Sequence, residues 1–116
     1  MKPVPLWEHM DAAQRAYVQV WCGWDTGRLL VKREGERIVG AAFVNDAEHA
    51  DFVNIDFIFV HPEHRRRGVA TALMRALLGW ERGHYVAVAD NDGSEAFFTT
   101  FGLKRVDNKL MVLKTR

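Results

Sequence analysis

Residues 60–71 read Val60-His61-Pro62-Glu63-His64-Arg65-Arg66-Arg67-Gly68-Val69-Ala70-Thr71, and they join two segments of different periodicity. On the amino-terminal side, Phe52 to Val60 is rich in β-branched and aromatic residues and apolar on both faces towards its end, the pattern of a central strand. Pro62 stops it. On the carboxy-terminal side, Val69, Leu73, Leu77 and Trp80 recur at helical spacing until Gly79 and Gly83 close the segment. The stretch is therefore a loop entering a helix N-terminus, where unpaired N–H groups and the macrodipole favour an anion. Gly68 and Ala70 let a pyrophosphate approach the backbone, and Arg65, Arg66 and Arg67 supply neutralising charge. Taken alone, the loop fits an anion site and a solvated basic turn about equally, because it matches neither the P-loop nor the dinucleotide fingerprint.

Working outward, Leu6, Met10, Ala13, Tyr17, Val20, Trp21 and Trp24 form one apolar stripe, which predicts a single helix with its aromatic residues in the core. Leu29 to Lys32 and Arg37 to Val44 flank Glu34-Gly35-Glu36 and predict an antiparallel pair turning at the glycine. Beyond the central βα unit, His84 to Ala89 reads as a short strand and Ser94 to Phe101 as a short helix ended by Gly102. Leu103 to Val106 and Lys109 to Leu113 then form a hairpin across Asp107 and Asn108. The expected order is α-β-β-β-α-β-α-β-β.

The composition narrows the class. With 116 residues, 48% hydrophobic and 27% charged, the chain reads as one folded domain over residues 1–116, without repeats or linkers. Sixteen basic against fifteen acidic residues leave a net charge of +1, which gives no long-range field for nucleic acid or an anionic membrane. The longest uncharged run, Ala16 to Trp24, is far too short to span a bilayer, and the first residues do not read as a secretory signal. A single cysteine, Cys22, forms no internal disulfide; a cytoplasmic location and a buried structural thiol are expected. His61, Glu63 and His64 lack metal-ligand spacing, so no metal is expected. Asp46, Glu48 and Asp51 read as a solvated acidic turn.

In this setting the chain resembles the GNAT-type N-acetyltransferases. Their acetyl-coenzyme A loop reads Arg or Gln, two residues, Gly, one residue, Gly or Ala, behind a strand ending Val-x-Pro; Arg65, Gly68 and Ala70 stand so behind Val60 and Pro62. A second signature follows in register at Asn91, Ser94, Phe97-Phe98 and Gly102-Leu103. The likeness covers roughly Leu29 to the carboxy terminus. It implies an α/β (α+β) fold with a mixed, mostly antiparallel central sheet flanked by helices, and without the family's usual first strand. It also implies acetyl-coenzyme A as cosubstrate: Arg65, Arg66, Arg67, Gly68, Val69, Ala70 and Thr71 would cradle the pyrophosphate. Ile58, Phe59 and Val60 would pair with the pantetheine amides, and Asn91 would face that arm. Two strands that splay apart would admit the thioester, which an amine then attacks directly.

The resemblance puts the family's general acid, a tyrosine, at Phe98, which would line the same arm but has no proton to give. Tyr85 is the substitute by residue type. Asp56, on one face of its strand with Asn54, is the candidate general base, with a structural carboxylate as the equally weighted alternative. The expected activity is acetyl transfer to a primary amine of a small molecule or protein. The rival is an acyl-coenzyme A-binding module of the same fold with little or no turnover. Missing early elements imply an open acceptor groove or one completed by a second subunit; for such a homodimer Trp7, Trp21 and Trp24 are the interface candidates where the helix is uncovered, core packing being their commoner fate.

Overall fold

A computed structural model describes residues 4–23, 27–46, 51–89 and 91–115. After a 3-10 turn at Trp7–His9, the chain runs α1 (Ala12–Cys22), β1 (Gly27–Glu34), β2 (Arg37–Asn45), β3 (Phe52–Val60) and α2 (Val69–Leu78). It continues through β4 (His84–Val88), α3 (Asp92–Thr100), β5 (Lys104–Arg105) and β6 (Leu110–Lys114). The element order matches the expectation. The strands form one mixed sheet in the order β1-β2-β3-β4-β6-β5, in which only β3 and β4 run parallel. No helix of the described residues is long and apolar enough to cross a membrane.

The amino-terminal helix is shorter and rotated relative to the stripe. Leu6 takes a left-handed conformation, Met10 is extended, and Asp11 caps α1 by accepting from Gln14 N at 2.8 Å, while Gln14 Oε1 accepts from Asp11 N. That reciprocal capping box starts the helix at the aspartate and splits the expected single helix in two. Its inward face is Gln14, Val18 and Trp21, with Val18 fully buried and the Trp21 ring edge-on to Phe43 at 4.9 Å. Tyr17 and Val20 lie largely outside, and so does Cys22, contrary to the buried thiol expected. Trp24 lies outside the described residues.

Two apolar layers pin the sheet. On one face Val39, Ala42, Val44, Val53 and Ile55 pack with Val69, Leu73, Met74 and Leu77 of α2 and with Phe98; on the other Ala41, Phe43 and Phe59 pack with Leu6, Met10 and Val18. The register of β3 explains how one strand feeds both layers. Phe43 pairs with Phe57 and Val44 with Ile55, so Asp56 is an extra, unpaired residue: a β-bulge. Before it Val53 and Ile55 face α2; after it Ile58 and Val60 do, while Phe57 and Phe59 turn to α1. The bulge reverses the alternation.

At Gly40 a Cβ atom would sit 2.4 Å from Val69 Cγ1, so the missing side chain lets α2 lie tightly on β2. At the far end of the sheet, Asp46 is buried between Arg28 (2.9 Å) and Arg82 (3.0 Å), and Asp51 accepts from Gly83 N at 2.8 Å. The expected solvated turn is instead a tie between β1, β2 and the approach to β4; Glu48 lies outside the described residues.

Candidate active site

β3 and β4 pair only from Phe52↔His84 to Ile55↔Ala87. Beyond the bulge they diverge, leaving the edge of Asp56 to Val60 without a strand partner on that side. A cleft of about 620 Å³ opens there, within the range of small-ligand sites. From β3 it is lined by Ile55, Asp56, Phe57, Ile58, Phe59 and Val60. The following loop and α2 contribute His64, Arg65, Arg66, Gly68, Val69, Ala70 and Thr71, and Val88, Asn91, Gly93, Ser94, Phe97 and Phe98 form the opposite wall. Gln14 reaches in from α1.

The loop is shaped by two left-handed residues, Arg66 (φ 65°) and Gly68 (φ 78°). Nothing lies within 4 Å of a Cβ built on Gly68, so the glycine answers the backbone angle and leaves its cleft side open. As N-cap it has no side chain to bond the first turn of α2, so the N–H groups of that turn remain for a ligand. Arg65 is held back against the strand end: its Nε donates to Val60 O at 3.3 Å and its guanidinium lies 5.5 Å from the Phe59 ring. The cradle thus offers backbone N–H groups and arginine charge, and the free edge of β3 offers unpaired strand hydrogen-bonding groups.

His61 braces the loop from behind. It is buried, its Nδ1 accepts from Glu63 N at 3.1 Å, and Arg37 lies 3.2 Å from its Nε2. Burial, helped by nearby His9, Arg37 and His64, pushes its pKa below the ordinary histidine range. His64 stands 3.4 Å from Glu34, tying the loop to the β1–β2 turn. Among the described residues no group of side chains forms a metal site.

Asp56 lies at the floor of the cleft, 7% exposed. Its Oδ1 accepts from Asn54 Nδ2 at 3.1 Å, while buried Oδ2 has no partner among the described residues. Burial raises its pKa from 3.8 to about 6. Such a carboxylate is poised to accept a hydrogen bond, and then a proton, from a ligand.

The other expected residues divide. Ile58, Phe59, Val60, Arg65, Arg66, Gly68, Val69, Ala70, Thr71, Asn91 and Phe98 all line the cleft, whereas Arg67 is exposed outside it. Asn91 caps α3, accepting from Ser94 N at 2.9 Å. Tyr85 must be corrected: it is fully buried on the α2 side, its hydroxyl donates to Leu77 O at 2.7 Å and accepts from Arg82 N at 3.1 Å. It ties α2 to β4 and is not part of the cleft. Gln14, being polar, falls outside the apolar stripe that marks the inward face in the sequence; its capping-box spacing from Asp11 is the one local signal of its place.

A mixed sheet with one splayed parallel pair, opening onto an uncapped helix behind an arginine loop, defines an α/β domain with a ligand-sized cleft between diverging strands. The profile of the Acetyltransferase (GNAT) family matches residues 3–103, and the chain belongs to that family. The match takes in α1 and runs through α3, ending before β5 and β6. Among solved structures it is similar to Tetrahymena GCN5 (14% identity, TM-score 0.75, covering 88% of this chain and 76% of that one). It also resembles the ribosomal-protein-S18-alanine N-acetyltransferase of Escherichia coli (16%, 0.68, 84% and 74%). A third is an Elizabethkingia anophelis GNAT family acetyltransferase with acetyl-CoA bound (13%, 0.71, 97% and 92%). At these identities the likeness is one of fold. No functionally curated protein matches the sequence.

Proposed function

We propose that the protein binds acetyl-coenzyme A in the cleft between β3 and β4 and transfers the acetyl group to a primary amine by direct attack. The carrying observation is the coincidence of the free β3 edge, the uncapped start of α2 and the buried, half-partnered Asp56 in one cleft. Family membership supports the class of chemistry.

In this reading the N–H groups of the first α2 turn, with Arg65 and Arg66, hold the pyrophosphate. The β3 edge aligns the pantetheine amides. Asp56 Oδ2 accepts the proton that an ammonium must lose before it is nucleophilic. The amine nitrogen attacks the thioester carbon, a C–N bond forms, the C–S bond breaks and its electron pair leaves on sulfur. The carbonyl oxygen is polarised by a backbone N–H of the splayed strand.

The test is calorimetric titration with acetyl-coenzyme A and with coenzyme A, followed by thiol release against a panel of small amines, peptide N-termini and lysine peptides. Binding with acceptor-dependent release is the expected result. Binding without release across the panel favours the acyl-coenzyme A-binding module, and no binding overturns the reading.

A further inference from the structure

Resting on the proposed acetyl transfer, the remaining chemical gap is the proton donor to the departing sulfur. The chain has two tyrosines, and neither lines the cleft: Tyr85 is buried with its hydroxyl bonded to Leu77 O, and Tyr17 packs outside against Phe57 at 5.8 Å. At Phe98 there is only a ring, 6% exposed. Among the described residues two hydroxyls line the cleft, those of Thr71 and Ser94. Thr71 belongs to the first turn of α2, at the arginine-loop end, away from the gap between the strands.

Ser94 is placed differently. It stands one helical turn before Phe98 on α3, so both side chains share the face that walls the cleft opposite Asp56. Its backbone N–H is fixed by the Asn91 cap, which orients this turn, while its Oγ makes no hydrogen bond to any described residue. Elsewhere on α3 the hydroxyls are engaged: Thr99 Oγ1 donates to Glu95 O at 2.7 Å and Thr100 Oγ1 to Phe97 O at 2.6 Å.

We infer that the Ser94 hydroxyl donates a hydrogen bond to the coenzyme A sulfur and stabilises the departing thiolate, replacing the phenol that Phe98 lacks. Ser94 does not give up its proton. The sulfur leaves with the C–S electron pair, accepts the Ser94 O–H as a hydrogen bond, and is protonated later by solvent; the ammonium proton goes to Asp56. A hydroxyl donor suffices because a thiol of pKa about 8.5 is already a fair leaving group.

The assay follows the thiol of protein-bound coenzyme A by thiolate absorbance against pH, in a Cys22→Ser background so that no protein thiol contributes. Among the described residues the charged and titratable groups lining the cleft are Asp56 on β3 and His64, Arg65 and Arg66 in the loop, and all are unchanged by substitution at 94. Ser94→Ala should raise the bound thiol's titration midpoint by about one pH unit, the size expected of a lost hydrogen bond to a charged acceptor. Ser94→Thr, which keeps a hydroxyl, should titrate with the parent. Phe98→Tyr added to Ser94→Ala should bring the midpoint down again. An unchanged midpoint in Ser94→Ala, or a Ser94→Thr that behaves as Ser94→Ala, overturns the role of Ser94 and leaves acetyl transfer standing. Failure of the parent to bind coenzyme A overturns both.

Discussion

Replacing Asp56 by Asn removes the proposed base while keeping shape and the contact of Oδ1 with Asn54. With a pKa of about 6, Asp56 is about one tenth ionised at pH 5 and about nine tenths at pH 7. The parent's kcat/KM should therefore climb about tenfold per pH unit below 6 and flatten above it. In Asp56→Asn the rate at pH 7 should fall by about 10²- to 10⁴-fold. What remains depends on amine that is already neutral. For a lysine-like acceptor of pKa about 10.4 the residual rate should rise about tenfold per unit from pH 7 to 9 without a plateau. Affinity for acetyl-coenzyme A, measured calorimetrically, should stay within about twofold, since in the proposed reaction Asp56 meets the acceptor amine rather than the coenzyme.

The same substitution has a stability consequence of opposite sign. Asp56 titrates higher in the folded chain than in the unfolded one, so its contribution is fully present below pH 3.8 and is lost as pH rises through about 6. The ceiling is about 3 kcal/mol, and water in the open cleft reduces it to about 1 kcal/mol. Asp56→Asn, neutral throughout, should thus be more stable than the parent by about 1 kcal/mol at pH 8, read from urea midpoints. A variant that is stabilised as stated but turns over at the parental rate, with the parental pH profile, would refute the base assignment and leave Asp56 as a structural carboxylate.

Three further outcomes test other parts of the site. Gly68→Glu places a carboxylate at the open N-terminus of α2 and adds backbone strain of about 1 kcal/mol; coenzyme A binding should be lost by calorimetry while the circular dichroism spectrum is retained. Gly40→Ala drives a methyl into Val69 Cγ1, costing about 1–3 kcal/mol by denaturant unfolding, and shifts the start of α2 enough to weaken coenzyme A binding as well. His61→Asn keeps a side-chain cap for Glu63 N but removes a group that titrates lower when folded. The parent should lose stability as pH falls below about 6.5, where the unfolded histidine takes up a proton that the folded one resists. The variant's urea midpoint should fall less over the same range.

The arginine loop and the central βα unit were legible because their signals are local: a β-rich run, a proline, a glycine and a helical stripe within a few turns of chain. What was not legible depends on register. The polar pair Asn54 and Asp56 reads as one face of a regular strand that becomes apolar on both faces after it, and the extra residue appears only when Phe57 pairs with Phe43 and Ile55 with Val44. Tyr85 was misplaced for the same reason: its residue type suggests an acid, but its face is set by the alternation of β4, which directs it to Leu77. Asp46 looked like a turn residue because its partners, Arg28 and Arg82, come from distant parts of the chain. At α1 the true inward face contains Gln14, a polar residue that an apolar count passes over.

The bulge links the two chemical requirements of the site. A bulged strand twists more strongly than its neighbour, so one extra residue bends β3 away from β4 and frees the edge from Asp56 to Val60. The same residue, lacking a ladder partner, turns its carboxylate into the gap it opens, where burial raises its pKa and leaves Oδ2 without a donor. Because the alternation reverses there, Phe57 and Phe59 can hold α1, and with it Gln14, over the cleft while Ile58 and Val60 still pack against the α2 layer. The free strand edge, the half-partnered carboxylate and the α1 wall thus share one structural origin. A change of register in β3 would alter all of them together, whereas Asp56→Asn changes the carboxylate alone.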